Sequence, residues 1–163
     1  MAKVIYTFGD DISTDIIYPG RYMATVLPAE TPQFAFADIK ELNDKLKAKQ
    51  LHPGGIIIGG KNFGCGSSRE QAVSTLKGYD LIIVAKNFAR IFLQNSINLG
   101  LQTITCPEID AQTGDELEIT QFEIANKTSG VSFSLIPLSK ARQAIIDAGG
   151  LIPYTRKRIL TKD

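Results

Sequence analysis

Residues 62–72 read Asn-Phe-Gly-Cys-Gly-Ser-Ser-Arg-Glu-Gln-Ala. Two hydroxyls and a guanidinium stand at the mouth of an expected helix, directly after spaced glycines. The chemistry open to such a corner is anion capture. A helix N-terminus presents unpaired N–H groups and partial positive charge. Gly64 and Gly66 let a ligand approach the backbone, and Arg69 can grip a carboxylate through two parallel hydrogen bonds. A cation in a first helical turn opposes the macrodipole, and a bound carboxylate removes that conflict. Ser67 and Ser68 can add hydrogen bonds or a proton-transferring hydroxyl. Serine is a feeble base in water, so the proton-transfer role needs a dry site and a positive field.

The same residues support a purely local reading. Ser67 and Glu70 fit the S-x-x-E capping box, with the glycines serving only a tight strand-to-helix turn. Two phosphate motifs are excluded. No Gly-Lys-Ser or Gly-Lys-Thr follows the glycines as in a Walker A loop, and G-x-G-x-x-G is absent.

The elements that must position this corner can be read from the apolar pattern. KVIYTF opens as a short strand, and GDDISTD follows as a polar turn. IIYPGRY reads as extended, with a bend at Pro19 and Gly20. MATVLPAETPQF, broken by Pro28 and Pro32, is expected to be a mobile loop over residues 23–34. Phe36, Ile39, Leu42 and Leu46 mark a helix that HPGG stops. IIIGG, DLIIVA and LQTITC read as buried strands. SREQAVSTLKGY and NFARIFLQNSINLG read as helices closing at Gly78 and Gly100. GDELEIT, FEIAN and VSFSLIP suggest an antiparallel meander with a turn at Asn126 to Gly130. SKARQAIIDAGG reads as a final helix, and LIPYTRKRILTKD as a solvated basic tail. The order implies an α/β fold: a small parallel core with crossover helices, extended by antiparallel strands into a mixed sheet.

Composition narrows the function classes. The chain has 163 residues and a net charge of +1, which suits one domain over 1–163. That balance gives no support for nucleic-acid binding through bulk charge. No apolar run is long enough to span a bilayer, and the N-terminus lacks the apolar core of a signal peptide. A cytoplasmic location is expected, with Cys65 and Cys106 as reduced thiols. Two cysteines cannot hold an iron–sulfur cluster by themselves, and no metal site is expected in this chain. His52, the single histidine, lies in a QLHPGG turn and is read as solvent-facing, which argues against Ser-His-Asp or Cys-His catalysis.

Three segments, GDDISTDIIYPGRY, GKNFGCGSSREQA and KNFARIFLQNSINLGL, together resemble one family from about Phe8 to the GGLIPY segment. It is the small-subunit family of the isopropylmalate dehydratase and homoaconitase group, which corresponds to the swivelling domain of aconitase. The resemblance implies a three-layered swivelling β/β/α domain. It implies a large-subunit partner, in a heterodimer or heterotetramer, that carries a 4Fe–4S cluster, with no cofactor in this chain. It also implies dehydration and rehydration of a small 2-hydroxy dicarboxylate. By motif, Ser67 matches the catalytic base, Arg69 the carboxylate-binding arginine and Ser68 its hydrogen-bonding neighbour. Asp15 matches an active-site aspartate, with an Asx-turn or loop cap as the local alternative. For Arg90 and Asn95 the reading is helix packing and polar surface.

The resemblance also assigns specificity to the segment Tyr22-Met23-Ala24-Thr25. Homoaconitase-like members resemble Y-L-R-T there, with an arginine for a distal carboxylate. Ala24 replaces that arginine, and a small apolar residue better suits an isopropyl or methyl group. Arg21 precedes the tyrosine and is not given the missing role. The leading expectation is an isopropylmalate-type hydro-lyase of leucine biosynthesis, followed by dimethylmalate or homoaconitate types. A non-catalytic carboxylate-binding module is the alternative of another class. An RNA-binding regulator is disfavoured by the near-neutral charge.

Overall fold

The computed structural model describes residues 1–50 and 54–161. Along the chain run β1 (Ala2–Thr7), α1 (Thr14–Ile17), α2 (Lys40–Lys47), β2 (Ile56–Gly59), α3 (Glu70–Lys77), β3 (Ile82–Ala85), α4 (Arg90–Leu99) and β4 (Gln102–Thr105). Then come β5 (Glu116–Ile119), β6 (Glu123–Asn126), β7 (Ser132–Ser134), α5 (Lys140–Asp147) and α6 (Leu151–Leu160). The strands form a seven-stranded sheet in the order β4-β3-β2-β1-β5-β6-β7. β1 to β4 are parallel, and β5 to β7 continue antiparallel from β1.

The apolar runs explain the layering. A strand covered on both faces can be apolar at every position. Ile57 and Ile83 face the helices, where they meet Val73, Leu76, Phe92 and Leu101. Ile56, Ile58 and Val84 point the other way and join Leu117 and Ile124 of the antiparallel strands. The sheet therefore curls until its second half lies over the back of its first. Ile136 N–H donates to Thr105 O at 2.8 Å, so the segment after β7 returns to the outer edge of β4. The three-layered α/β architecture with crossover helices is borne out.

Several local expectations are corrected. IIYPGRY is not extended throughout. Ser13 caps the four-residue α1 by accepting from Ile16 N–H, and Gly20–Tyr22 forms a 3-10 turn. The loop over residues 23–34 is better packed than its prolines suggest. Thr31–Phe34 forms a second 3-10 turn. Its buried Thr31 bonds to Ser74 Oγ at 2.8 Å, and its carbonyl accepts from Thr75 Oγ1 at 2.7 Å. The basic C-terminal segment is a helix, α6, which with α5 rests against α4. His52 lies outside the described residues.

Candidate active site

The three parallel strands β1, β2 and β3 end side by side, and their following loops are stitched together by backbone hydrogen bonds. Gly60 N–H donates to Gly9 O, Gly64 N–H to Ile12 O and Thr14 N–H to Cys65 O, at 2.9, 2.7 and 2.8 Å. The third loop joins through Phe63 N–H to Asn87 O at 3.1 Å and Ala89 N–H to Phe63 O at 2.9 Å. Asn87 Oδ1 also accepts from Asn62 N–H at 2.6 Å. In open parallel sheets, ligands bind outside these carboxyl ends. All three sequence motifs thus converge on one edge of the sheet.

Gly64 makes the corner possible. Its φ of +83° is left-handed, and an added Cβ would sit 2.2 Å from the Phe92 ring. Phe63, Phe88 and Phe92 form an aromatic cluster beneath, with Phe63 and Phe92 centroids 5.5 Å apart. The loop therefore rides close over the start of α4.

The capping-box reading of Ser67 is overturned. The residue before α3 is Arg69, in extended backbone (φ −133°, ψ 108°), and no side chain caps the helix. Ser67 lies two residues earlier. Its carbonyl accepts from Thr14 Oγ1 at 2.8 Å, a bond across 53 residues of sequence. That tertiary tie and the left-handed glycine hold the serines off the helix axis. Ser67 and Ser68 are both exposed. Arg69 accordingly stands at the cap rather than in the first turn.

Arg69 and Asp15 are brought together. Arg69 Nη1 donates to Asp15 Oδ1 at 2.7 Å and to Tyr18 O at 3.0 Å, and Gly20 N–H donates to the same Asp15 oxygen at 2.8 Å. The Arg69 side chain is 17% exposed and that of Asp15 63%. The Arg69 hydrogen bond and then the Gly20 N–H hold the Asp15 carboxyl below its usual range, against a small desolvation effect. Asp15 makes no Asx-turn; the same oxygen caps the Gly20 N–H and holds the arginine.

Between the starts of α3 and α4 lies a cleft of about 620 Å³. Thr14, Ser67, Ser68 and Arg69 line one part, and Arg90 and Asn95 another. No acidic side chain lines it among the described residues. Arg90 is exposed and Asn95 half-buried, in keeping with the polar-surface reading of Arg90. Two uncapped helix ends, at Arg69 and Ala89, give the cleft positive character without a metal. Thr14 and Gln94 were not singled out by the sequence reading. Thr14 was legible only as the threonine before a matched aspartate, and the structure buries it.

The segment Tyr22 to Thr25 lies beside the cleft rather than on its wall. Tyr18 Oη donates to Tyr22 O and Thr25 O at 3.1 and 3.2 Å, and Gln71 Nε2 to Met23 O at 3.3 Å. Met23 and Ala24 are exposed there. Arg21 is tied to Asp38 and stacks over the Tyr22 ring at 4.6 Å, which keeps it from an anion-binding role at Ala24.

Among the described residues no group of three His, Cys, Asp or Glu side chains could hold a metal ion. Cys65 sits in the corner loop, while Cys106 lies in the core behind the sheet. Burial pushes the Cys106 thiol up to about 11, so it is protonated and inert near neutrality. Among the described residues no helix is long and apolar enough to cross a membrane.

The family model for the aconitase C-terminal domain matches residues 13–109. The 3-isopropylmalate dehydratase small subunit of Methanosarcina mazei is 42% identical over 158 residues, covering 94% of this chain and 95% of the relative. The isopropylmalate/citramalate isomerase small subunit of Methanocaldococcus jannaschii is 42% identical over 160 residues, covering 95% and 93%. A crystal structure of 3-isopropylmalate dehydratase from the same organism aligns with a TM-score of 0.85 at 38% identity, covering 97% of this chain and 94% of that one.

Proposed function

The chain belongs to the aconitase C-terminal domain family, and on that premise we propose that it is the small subunit of a 3-isopropylmalate dehydratase of leucine biosynthesis. The enzyme is a hydro-lyase that acts with a large subunit and interconverts 2- and 3-isopropylmalate by removing and re-adding water. The observation that carries this reading is the cleft that groups Arg69, Ser67 and Ser68 with no acidic wall among the described residues. The reading takes residues 1–163 as one swivelling domain and places it in the cytoplasm.

Arg69 binds one carboxylate of the substrate, and Ser68 adds a hydrogen bond. Asp15 keeps the guanidinium in place through the 2.7 Å contact. Ser67 takes the proton from the carbon beside that carboxylate as the hydroxyl leaves the neighbouring carbon; on rehydration the proton goes to that neighbouring carbon and the hydroxyl to the carbon Ser67 deprotonated. Thr14 fixes the backbone from which Ser67 projects. A serine alkoxide needs a cationic surrounding, and Arg69 with the two open helix ends supplies part of it. Held by the large subunit, a 4Fe–4S cluster supplies Lewis acidity for the departing hydroxyl. Docking of that subunit over the open cleft excludes water. Ala24 beside the corner favours a branched alkyl group over a third carboxylate.

The test is co-expression with the cognate large subunit and side-by-side assay on isopropylmalate, dimethylmalate, citramalate and homoaconitate. The expected result is the highest kcat/KM on isopropylmalate and no turnover by the isolated chain. A complex that prefers homoaconitate, or a lone chain that binds malate analogues tightly and recruits no partner, would overturn it.

A further inference from the structure

Arg69 and the turn over residues 22–25 lie far apart in sequence, and the reading above gives them separate tasks. One residue touches both. Tyr18 is fully buried. Its carbonyl accepts from Arg69 Nη1 at 3.0 Å, and its hydroxyl is shared between Tyr22 O at 3.1 Å and Thr25 O at 3.2 Å. Resting on that reading, we propose that Tyr18 is a positioning residue: it sets the distance from the Arg69 guanidinium to the 22–25 turn, and with it the size of the alkyl group that the complex accepts.

The sequence favours this arrangement. Proline drives the residue before it out of the helical region. Tyr18 precedes Pro19 and is extended, with φ −142° and ψ 98°, so α1 ends there and the Tyr18 carbonyl turns to Arg69. The 22–25 turn closes on itself, with Thr25 N–H donating to Tyr22 O at 3.0 Å. The Tyr18 hydroxyl holds the carbonyls at both ends of that turn. Its ring is pinned in turn: it meets Tyr22 and Phe34 edge-on, and those two rings stack with centroids 4.0 Å apart. Burial pushes the hydroxyl above the usual tyrosine range, so it stays a donor through neutral pH. The preceding 3-10 turn also lies against the guanidinium, because a Cβ added at Gly20 would stand 3.4 Å from Arg69 Nη2. A tyrosine side chain is stiff, so Tyr18 spans this corner as a strut of fixed length. Length matters here. One methylene in an apolar pocket is worth about 10-fold to 200-fold in selectivity, and a misplacement of about 1 Å costs on the same scale.

The experiment compares wild-type and Tyr18→Phe small subunits, each co-expressed and purified with the large subunit. Tyr18→Phe keeps the ring and the carbonyl and removes only the hydroxyl. It is expected to co-purify at normal stoichiometry. The ratio of kcat/KM on isopropylmalate to that on citramalate, which carries a methyl in place of the isopropyl, should fall about tenfold, chiefly through a higher KM for isopropylmalate. Hydrogen exchange of the Thr25 N–H should quicken in the same variant, while that of α3 stays as in wild type. A substrate ratio within about twofold of wild type would overturn the proposal, whatever the change in Tm. So would an equal loss on both substrates, which would make Tyr18 a support for Arg69 alone. Unchanged exchange at Thr25, or failure to co-purify, would overturn it as well. A wild-type complex inactive on isopropylmalate would sink the parent reading instead, so the two failures are distinguishable.

Discussion

The corner at Gly64–Arg69 and the turns of the β5–β7 meander are built from similar residues to opposite ends. The meander closes on itself. Asn126 Oδ1 accepts from Thr128 and Ser129 N–H, and its amide donates to Asp115 Oδ2 at 2.8 Å. Ser139 then caps α5 by accepting from Arg142 N–H. In the corner, Ser67 and Ser68 stand beside α3 and do not cap it. An open helix end decides little by itself, since α2 also begins uncapped at Ile39. What sets the corner apart is that two open ends, two serines and two arginines share one cleft. The meander ties its polar groups into its own fold, whereas the corner leaves Ser67 and Ser68 exposed beside the cleft.

That contrast can be broken by mutation. Arg69→Lys keeps the charge and loses the planar fork, and should lower kcat/KM of the reconstituted complex about a hundredfold. Loss of less than threefold would place Arg69 with the structural residues. The two regions also differ in how tightly they hold a left-handed glycine. Gly64→Ala meets both φ +83° and the Phe92 ring. It should lower Tm by about 5–10 °C and abolish assembly-dependent activity. Gly114→Ala, at φ +100° with nothing within 4 Å, carries only backbone strain. About 2–4 °C is expected there, with activity retained. Thermal melts of the two variants check this pair.

The smallest effect is electrostatic. Arg69 and the Gly20 N–H hold Asp15 below its usual range, and the Gln112 N–H and Asn126 amide do the same for Asp115. A depressed carboxyl contributes stability that is present above the ordinary carboxylate range and lost as pH falls through its lowered value. The destabilisation by Asp15→Asn or Asp115→Asn should therefore be constant from about pH 5 to 8 and shrink below about pH 4. Urea denaturation across that range measures it. A change between pH 6 and 8 would point to a different titrating group.

The parallel core was legible because IIIGG and LIIVA are too apolar to be anything but strands covered on both faces. α3 and α4 were legible from their periodicity, and the cleft residues Ser67, Ser68 and Arg69 from residue type. What failed depended on contacts distant in sequence. The S-x-x-E spacing at Ser67 promised a cap, but Thr14 draws the Ser67 backbone away and moves the helix start to Arg69. α1 is too short to show a period and exists because Ser13 caps it. α6 buries no residue fully, so its pattern is that of a tail. Its helix forms against α4 and α5.

The central claim is that Ser67 moves the substrate proton. It is tested most directly by Ser67→Ala in the complex with the large subunit, following kcat on isopropylmalate and deuterium exchange from solvent into the substrate. The account predicts normal co-purification and a KM near wild type, with kcat and exchange both reduced about a thousandfold. Wild-type kcat and exchange in that variant would contradict it.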